Sequence, residues 1–229
     1  MGVNPRANLV AVKVLDFEGR GSSADALAGV EWVIANREKY NIRVANLSIG
    51  TPDAGSHDSL VRAVEAAWDA GIVVVVAAGN GGPHKSSVTS PGTSRKVVTV
   101  GAFDDEACMD ALGGALQNFS GRGPTSECIV KPDVLWKGCE VVSCLSNSVE
   151  MSKERLSQLN IVADGYVKMS GTSMASPAVA GAISLLLAQR PELSPNEVKL
   201  ALKLSCVDLG LPANRQGFGK LDVNALLRV

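Results

Sequence analysis

The chain has 229 residues, of which 46% are hydrophobic and 4% aromatic, and its formal net charge is -1 at pH 7. This length predicts one or two domains, with a single α/β domain favoured, and a core of Val, Ala, Leu and Ile. The near-zero charge without a basic stripe argues against a nucleic-acid partner, and no apolar run reaches the roughly 18–20 residues of a membrane span.

The first hundred residues alternate between strand-like and helix-like patterns. Strands are predicted at residues 9–15, 44–49, 72–78 and 96–102, and helices from Ser22 or Ser23 to about residue 40 and over residues 57–70. Strands that alternate with helices form βαβ units with right-handed crossovers. We therefore predict an α/β fold with three layers, in which a mostly parallel β-sheet carries helices on both faces.

The second half of the chain is less regular until residue 165. Short strands are predicted at residues 140–143 and 166–169, and a short helix around residues 152–159. Ser194, Pro195 and Glu197 form a capping-box pattern that predicts the start of a helix ending near residue 205. A last short helix is predicted at residues 222–228.

The five cysteines are scattered, and no two of them have the spacing of a zinc site. An odd, scattered set predicts free thiols in a reducing compartment. No signal peptide follows Met1, which also favours a cytoplasmic location. No cofactor and no metal ligand is assigned from these residues.

The stretch from Ser170 to Pro177 reads Ser-Gly-Thr-Ser-Met-Ala-Ser-Pro and leads into an apolar helix. Pro177 is expected in the first turn, which places Ser173 at or just before the helix N-terminus. Backbone N–H groups there would stabilise an oxyanion formed when the Ser173 hydroxyl attacks a carbonyl. Taken alone, a serine at this place is more often a helix cap.

Asn80 follows the predicted strand at residues 72–78, in the string Ala-Ala-Gly-Asn-Gly-Gly. Its carboxamide can donate a hydrogen bond to an oxyanion, but Asn80 with Gly81 and Gly82 equally suits an ordinary turn. A phosphate loop at residues 79–82 is a weaker interpretation because no Lys-Ser/Thr pair follows.

Read together, Gly-Thr-Ser-Met-Ala-x-Pro and Ala-Ala-Gly-Asn resemble the motifs of the subtilisin-like serine peptidases, and the resemblance extends from Gly2 to about Leu227. It implies that Ser173 is the nucleophile and that Asn80 is the side-chain donor to the oxyanion, with the Ser173 N–H as second donor. It also implies a groove for a peptide or protein substrate in extended conformation, with Ser48, Ile49 and Gly50 as one wall and Ala77, Ala78 and Gly79 as the other.

The resemblance does not extend to a catalytic Asp or His. His57 and His84 stand in no His-Gly-Thr-His-like string, and Asp16 matches a family aspartate outside the triad. We therefore expect residues 1–229 to form one subtilisin-like domain, truncated at its N-terminus and nearly inactive alone.

The missing N-terminal segment is then an expected partner, because strands at residues 9–15 and 44–49 would face each other with unpaired edges. Calcium is common in the family, but no ligand is assigned here. The alternative is a non-catalytic module that binds peptides without turnover.

Overall fold

The computed structural model describes residues 2–16, 19–51, 58–110, 114–146, 157 and 159–229. Six described helices are α1 (Ser23–Asn36), α2 (Ser59–Asp69), α3 (Thr172–Gln189), α4 (Pro195–Leu204), α5 (Ala213–Gln216) and α6 (Val223–Leu226). The described strands are β1 (Val44–Leu47), β2 (Val73–Ala77), β3 (Val98–Ala102), β4 (Cys108–Met109), β5 (Ala115–Leu116), β6 (Val134–Trp136), β7 (Val141–Cys144), β8 (Ile161–Ala163), β9 (Tyr166–Met169), β10 (Cys206–Val207) and β11 (Lys220–Leu221).

The central sheet has six strands in the order β1-β2-β3-β6-β11-β10. Its first five strands run parallel, and β10 pairs antiparallel with β11. Every residue of β2 and β3 is buried, as expected for parallel strands that are covered on both faces. The predicted α/β class with a mostly parallel sheet is confirmed.

Helix α3 is the apolar centre of this core. Its 18 residues and mean hydropathy of 1.2 would satisfy the length and composition of a membrane span. The helix instead packs against β1, β2, β3 and β6. Burial against four strands accounts for its apolar sequence.

The helix starts follow the capping signals in the sequence. Ser22 and Asp25 form a capping box at α1, and Ser194 and Glu197 form one at α4. Each box satisfies backbone N–H groups that have no partner inside the helix. Helix α1 ends earlier than predicted, because the chain turns after Asn36. Helix α2 is capped by Asp58, and His57 lies outside the described residues.

Residues 9–15 do not form the predicted strand. They join no sheet, and Leu9 is 91% exposed. Val12 and Val14 instead lie against Gly29 of α1, where an added Cβ would come within 2.5 Å of Val14 Cγ1. An apolar run becomes a strand only where a neighbour pairs with its backbone, and within the described residues β1 forms the edge of the sheet.

Several short strands were missed in the sequence. Strands β6 and β11 extend the parallel sheet, and β4 and β5 pair as a small antiparallel sheet. The predicted strands near residues 140–143 and 166–169 are present as β7 and β9, which join β8 in a separate antiparallel sheet. Residues 152–156 and 158 of the helix predicted at 152–159 lie outside the described residues.

A buried charged cluster joins β3, the segment before β6 and α4. Lys131 is 1% exposed and its ammonium donates to Asp133 at 2.7 Å and to the Thr99 hydroxyl at 2.9 Å. Lys199 contacts the other carboxylate oxygen of Asp133 at 3.0 Å. Burial lowers the pKa of Lys131 to about 8, although the Asp133 carboxylate opposes that shift.

Candidate active site

The start of α3 differs from the prediction in the position of Pro177. Helix α3 begins at Thr172, so Pro177 lies inside the helix and not in its first turn. A proline there leaves the carbonyl four residues earlier, that of Ser173, without its helical donor. The Ser48 hydroxyl donates to this carbonyl at 3.0 Å. Because of the proline, the Ser173 carbonyl is available to the Ser48 hydroxyl, and this hydrogen bond connects the end of β1 to α3.

Ser173 and Ser48 are linked in both directions. The half-buried Ser173 hydroxyl donates to the Ser48 carbonyl at 3.3 Å, its one hydrogen bond within the described part of the chain. Ser173 lies in the first turn of α3, where backbone N–H groups have no helical acceptor. Its own N–H donates to no protein acceptor among the described residues. That N–H is therefore available to a ligand oxygen.

Thr172 connects Asn80 to the same helix end. The Asn80 Oδ1 accepts the Thr172 N–H at 2.9 Å and the Thr172 hydroxyl at 3.1 Å. The Thr172 Oγ1 in turn accepts the Gly79 N–H at 3.0 Å. The two hydrogen bonds to Oδ1 fix the orientation of the Asn80 carboxamide. The Nδ2 donor is the opposite end of this group, and a Cβ added at Gly171 would lie 3.1 Å from it.

The structure therefore brings Asn80 against the residue that precedes Ser173. A free helix N–H at Ser173 and an oriented carboxamide at Asn80 are two donors that can converge on one developing negative charge. The roles of nucleophile and oxyanion donor remain predictions.

The two predicted groove walls lie side by side. Strands β1 and β2 are parallel with Leu47 opposite Val76, so the chain after β1 runs level with the chain after β2. Ser48, Ile49 and Gly50 therefore follow one strand at the same edge of the sheet where Ala77, Ala78 and Gly79 end the other.

Thr89 lies between these walls and was missed in the sequence. A Cβ added at Gly50 would lie 2.5 Å from Thr89 Oγ1, and one added at Gly79 would lie 2.6 Å from it. Its N–H donates to the Ala78 carbonyl at 3.1 Å, and the next residue, Ser90, bridges to Thr51. A single threonine in a loop carries no sequence signal of such a position.

The remaining candidates lie in local turns. Asp16 accepts the Arg20 N–H at 2.9 Å, and the carbonyl of the exposed His84 accepts the Ser87 hydroxyl at 2.6 Å. Neither contact concerns Ser173. Among the residues that the structure describes, no group of three His, Cys, Asp or Glu side chains is arranged to hold a metal ion.

Comparison with known proteins gives one consistent family. The Subtilase family model, Peptidase_S8, matches residues 1–219. Serine protease AprX of Bacillus subtilis (strain 168) is 45% identical over 209 residues, which are 88% of this chain and 47% of AprX. Subtilisin DY of Bacillus licheniformis is 32% identical over 98% of this chain and 70% of its own length. The chain thus spans about half the length of AprX.

Solved structures agree with the sequence matches. A psychrophilic protease superposes with a TM-score of 0.73 at 29% identity, covering 96% of this chain and 70% of that one. The prenylagaramide maturation protease PagA gives a TM-score of 0.67 at 25% identity, covering 91% and 68%.

Proposed function

The chain belongs to the subtilase family of serine peptidases, and from that premise we propose that it carries the Ser173 nucleophile and the Asn80 oxyanion donor of a serine endopeptidase. The observation that supports this proposal is the link through Thr172, which holds the Asn80 carboxamide beside the free N–H of Ser173.

The proposed reaction is acyl transfer. The Ser173 oxygen attacks the carbonyl carbon of the scissile peptide bond while a general base takes the hydroxyl proton. Negative charge then forms on the carbonyl oxygen, and the Asn80 Nδ2 and the Ser173 N–H donate to it. The base returns the proton to the leaving amine, and water hydrolyses the acyl-enzyme by the same steps.

The general base comes from polypeptide beyond the described residues. The Ser173 hydroxyl donates to the Ser48 carbonyl, and a carbonyl cannot take up a proton at neutral pH. We therefore propose a histidine, with its orienting aspartate, on a segment that binds beside β1. Without that segment, peptide hydrolysis by this chain remains far below that of the complete site, since the hydroxyl stays protonated.

The substrate binds as an extended strand between the two walls. Backbone groups of Ser48–Gly50 pair with the peptide main chain by strand addition, and Ala77–Gly79 form the opposite wall. Thr89 stands at the meeting point of the walls, next to Gly50 and Gly79. The space for the substrate side chain at the scissile bond is therefore limited by the Thr89 side chain.

A serine-directed fluorophosphonate tests the proposal. Two proteins are compared: this chain alone, and this chain joined behind the part of AprX that precedes the matched region. We expect rapid labelling of the joined protein at Ser173, mapped by mass spectrometry, and labelling at least roughly 10³-fold slower for the chain alone, because the base activates the nucleophile.

Two controls make the result decisive. Ser173→Ala should abolish labelling of the joined protein, and circular dichroism should show that both proteins are folded. If the folded joined protein is not labelled but still binds an extended peptide, the alternative of a non-catalytic binding module replaces the proposal. Equal labelling of both proteins would contradict the need for an added base.

A further inference from the structure

Two of the five cysteines lie together, at a place that the proposed mechanism does not use. Cys139 is buried, and its Sγ lies 3.8 Å from the carbonyl oxygen of Ala107, the residue before Cys108. The Cys108 side chain is near enough to the Cys139 thiol to raise its pKa, and the contact with Ala107 places the thiol at the backbone of the residue next to Cys108. Cys108 and Cys139 are distant in sequence, so the fold alone creates this pair.

The backbone holds the two segments together independently of the sulfur atoms. The Cys139 N–H donates to both oxygens of the Asp104 carboxylate, at 3.1 and 3.2 Å. The Gly138 N–H donates to one of the same oxygens at 2.7 Å. This anchoring fixes the segment that contains Cys139 against the turn that leads to Cys108.

The two thiols differ in reactivity. Cys108 is half-buried and Cys139 buried. Burial and, to a smaller extent, the neighbouring Cys108 together raise the pKa of the Cys139 thiol to about 12. Cys108 is therefore the thiol that a reagent in solution reaches first.

We propose that Cys108 and Cys139 form a reversible intramolecular disulfide, with a small-molecule disulfide such as oxidised glutathione as the electron acceptor. The Cys108 thiolate attacks one sulfur of oxidised glutathione, forms a mixed disulfide and releases one glutathione. Cys139 then loses its proton to solvent, attacks the Cys108 sulfur and releases the second glutathione. Two protein thiols are oxidised while one glutathione disulfide is reduced to two thiols.

The disulfide connects Cys108 to the segment whose hydrogen bonds hold the N-terminus of α3. The Gly138 carbonyl accepts the Gly171 N–H at 2.8 Å, and the Glu140 N–H donates to the Ser170 hydroxyl at 3.0 Å. Cys139 therefore lies between two residues that hold the stretch before Ser173. A crosslink from Cys139 to Cys108 closes a long loop, which restricts the unfolded chain and stabilises the folded one.

The test is disulfide mapping of the wild-type chain after incubation with oxidised glutathione. Remaining thiols are blocked with maleimide, and the protein is digested without reduction. We expect a crosslinked peptide pair containing Cys108 and Cys139, and a rise of several degrees in melting temperature that dithiothreitol reverses. A variant with Cys128→Ser, Cys144→Ser and Cys206→Ala should show the same crosslink, because it keeps only the proposed pair.

Single substitutions separate the two steps. Cys139→Ser should stop the reaction at a glutathione adduct on Cys108, and Cys108→Ser should leave Cys139 unmodified because that thiol is buried. The proposal is overturned if the wild-type chain keeps both thiols free. It is equally overturned if a Cys108–glutathione adduct accumulates while Cys139 is intact, or if the crosslinks join separate chains.

Discussion

Replacing Ser48 by Ala tests the link between β1 and α3. The substitution removes the hydroxyl that donates to the Ser173 carbonyl at 3.0 Å and that lies 3.1 Å from the Ser176 hydroxyl. Pro177 has no N–H to replace this donor, so the carbonyl loses its partner. A half-buried acceptor without a hydrogen bond costs about 1–2 kcal/mol, and we expect the free energy of unfolding to fall by that amount.

Pro177→Ala should reduce this cost. Alanine offers an N–H to the Ser173 carbonyl at normal helix geometry, so the loss of the Ser48 hydroxyl matters less. Pro177 is exposed, and its replacement removes little packing. We expect Ser48→Ala to cost about 1 kcal/mol less in the Pro177→Ala background than in the wild type.

Urea unfolding of the four proteins in this double-mutant cycle measures the coupling. Pro195→Ala provides a matched control, because Pro195 occupies the first turn of α4, where a missing N–H has no helical acceptor to lose. Ser48→Ala and Pro195→Ala should be additive within about 0.5 kcal/mol. A cycle with Pro177 that is equally additive would refute the argument that the proline frees the Ser173 carbonyl for Ser48.

Three further predictions concern other parts of the chain. Thr89→Gly, made in the protein joined to the AprX segment, should raise kcat/KM for substrates with larger side chains at the scissile bond roughly 10-fold or more relative to smaller ones. Unchanged kcat/KM ratios across a substrate series would exclude a role for Thr89. The pKa of Lys131 is lowered from 10.5 to about 8 in the folded chain. Between these two pH values the unfolded chain therefore binds one proton more than the folded chain. The contribution of Lys131 to the free energy of unfolding then rises by up to about 1.4 kcal/mol per pH unit. Lys131→Met should therefore lack the rise, measured as the difference in unfolding free energy between pH 8 and 10; parallel pH profiles would show that Lys131 does not titrate there. Ser194→Ala should lower the unfolding free energy by about 1 kcal/mol through loss of the α4 cap, and Ser194→Asp should restore most of it.

Local patterns predicted the elements whose signals lie within a short window. The helix cap at Ser22 or Ser23, the capping box at Ser194 and the buried run of β2 follow from hydrogen bonding and burial between near neighbours. The structure confirms the cap, at Ser22, and also the box and the buried strand. The strand at residues 9–15 was predicted wrongly by the same reasoning. Its apolar pattern is typical of a strand, but a strand also needs a neighbouring strand to pair with, and a local pattern does not show whether one is present.

The sequence by itself determined the α/β class, the family motifs around Asn80 and Ser173, and most helix starts, because these depend on residue type and close spacing. Only the tertiary structure decided the contacts between distant segments. It placed Thr89 next to Gly50 and Gly79, made Ser48 the hydrogen-bond donor to the Ser173 carbonyl and brought the Cys139 thiol to the Ala107 carbonyl beside Cys108. Such contacts arise when packing of the sheet and α3 brings loops together. Each contact depends on two residues that are distant in sequence, so the local sequence around either residue does not predict it.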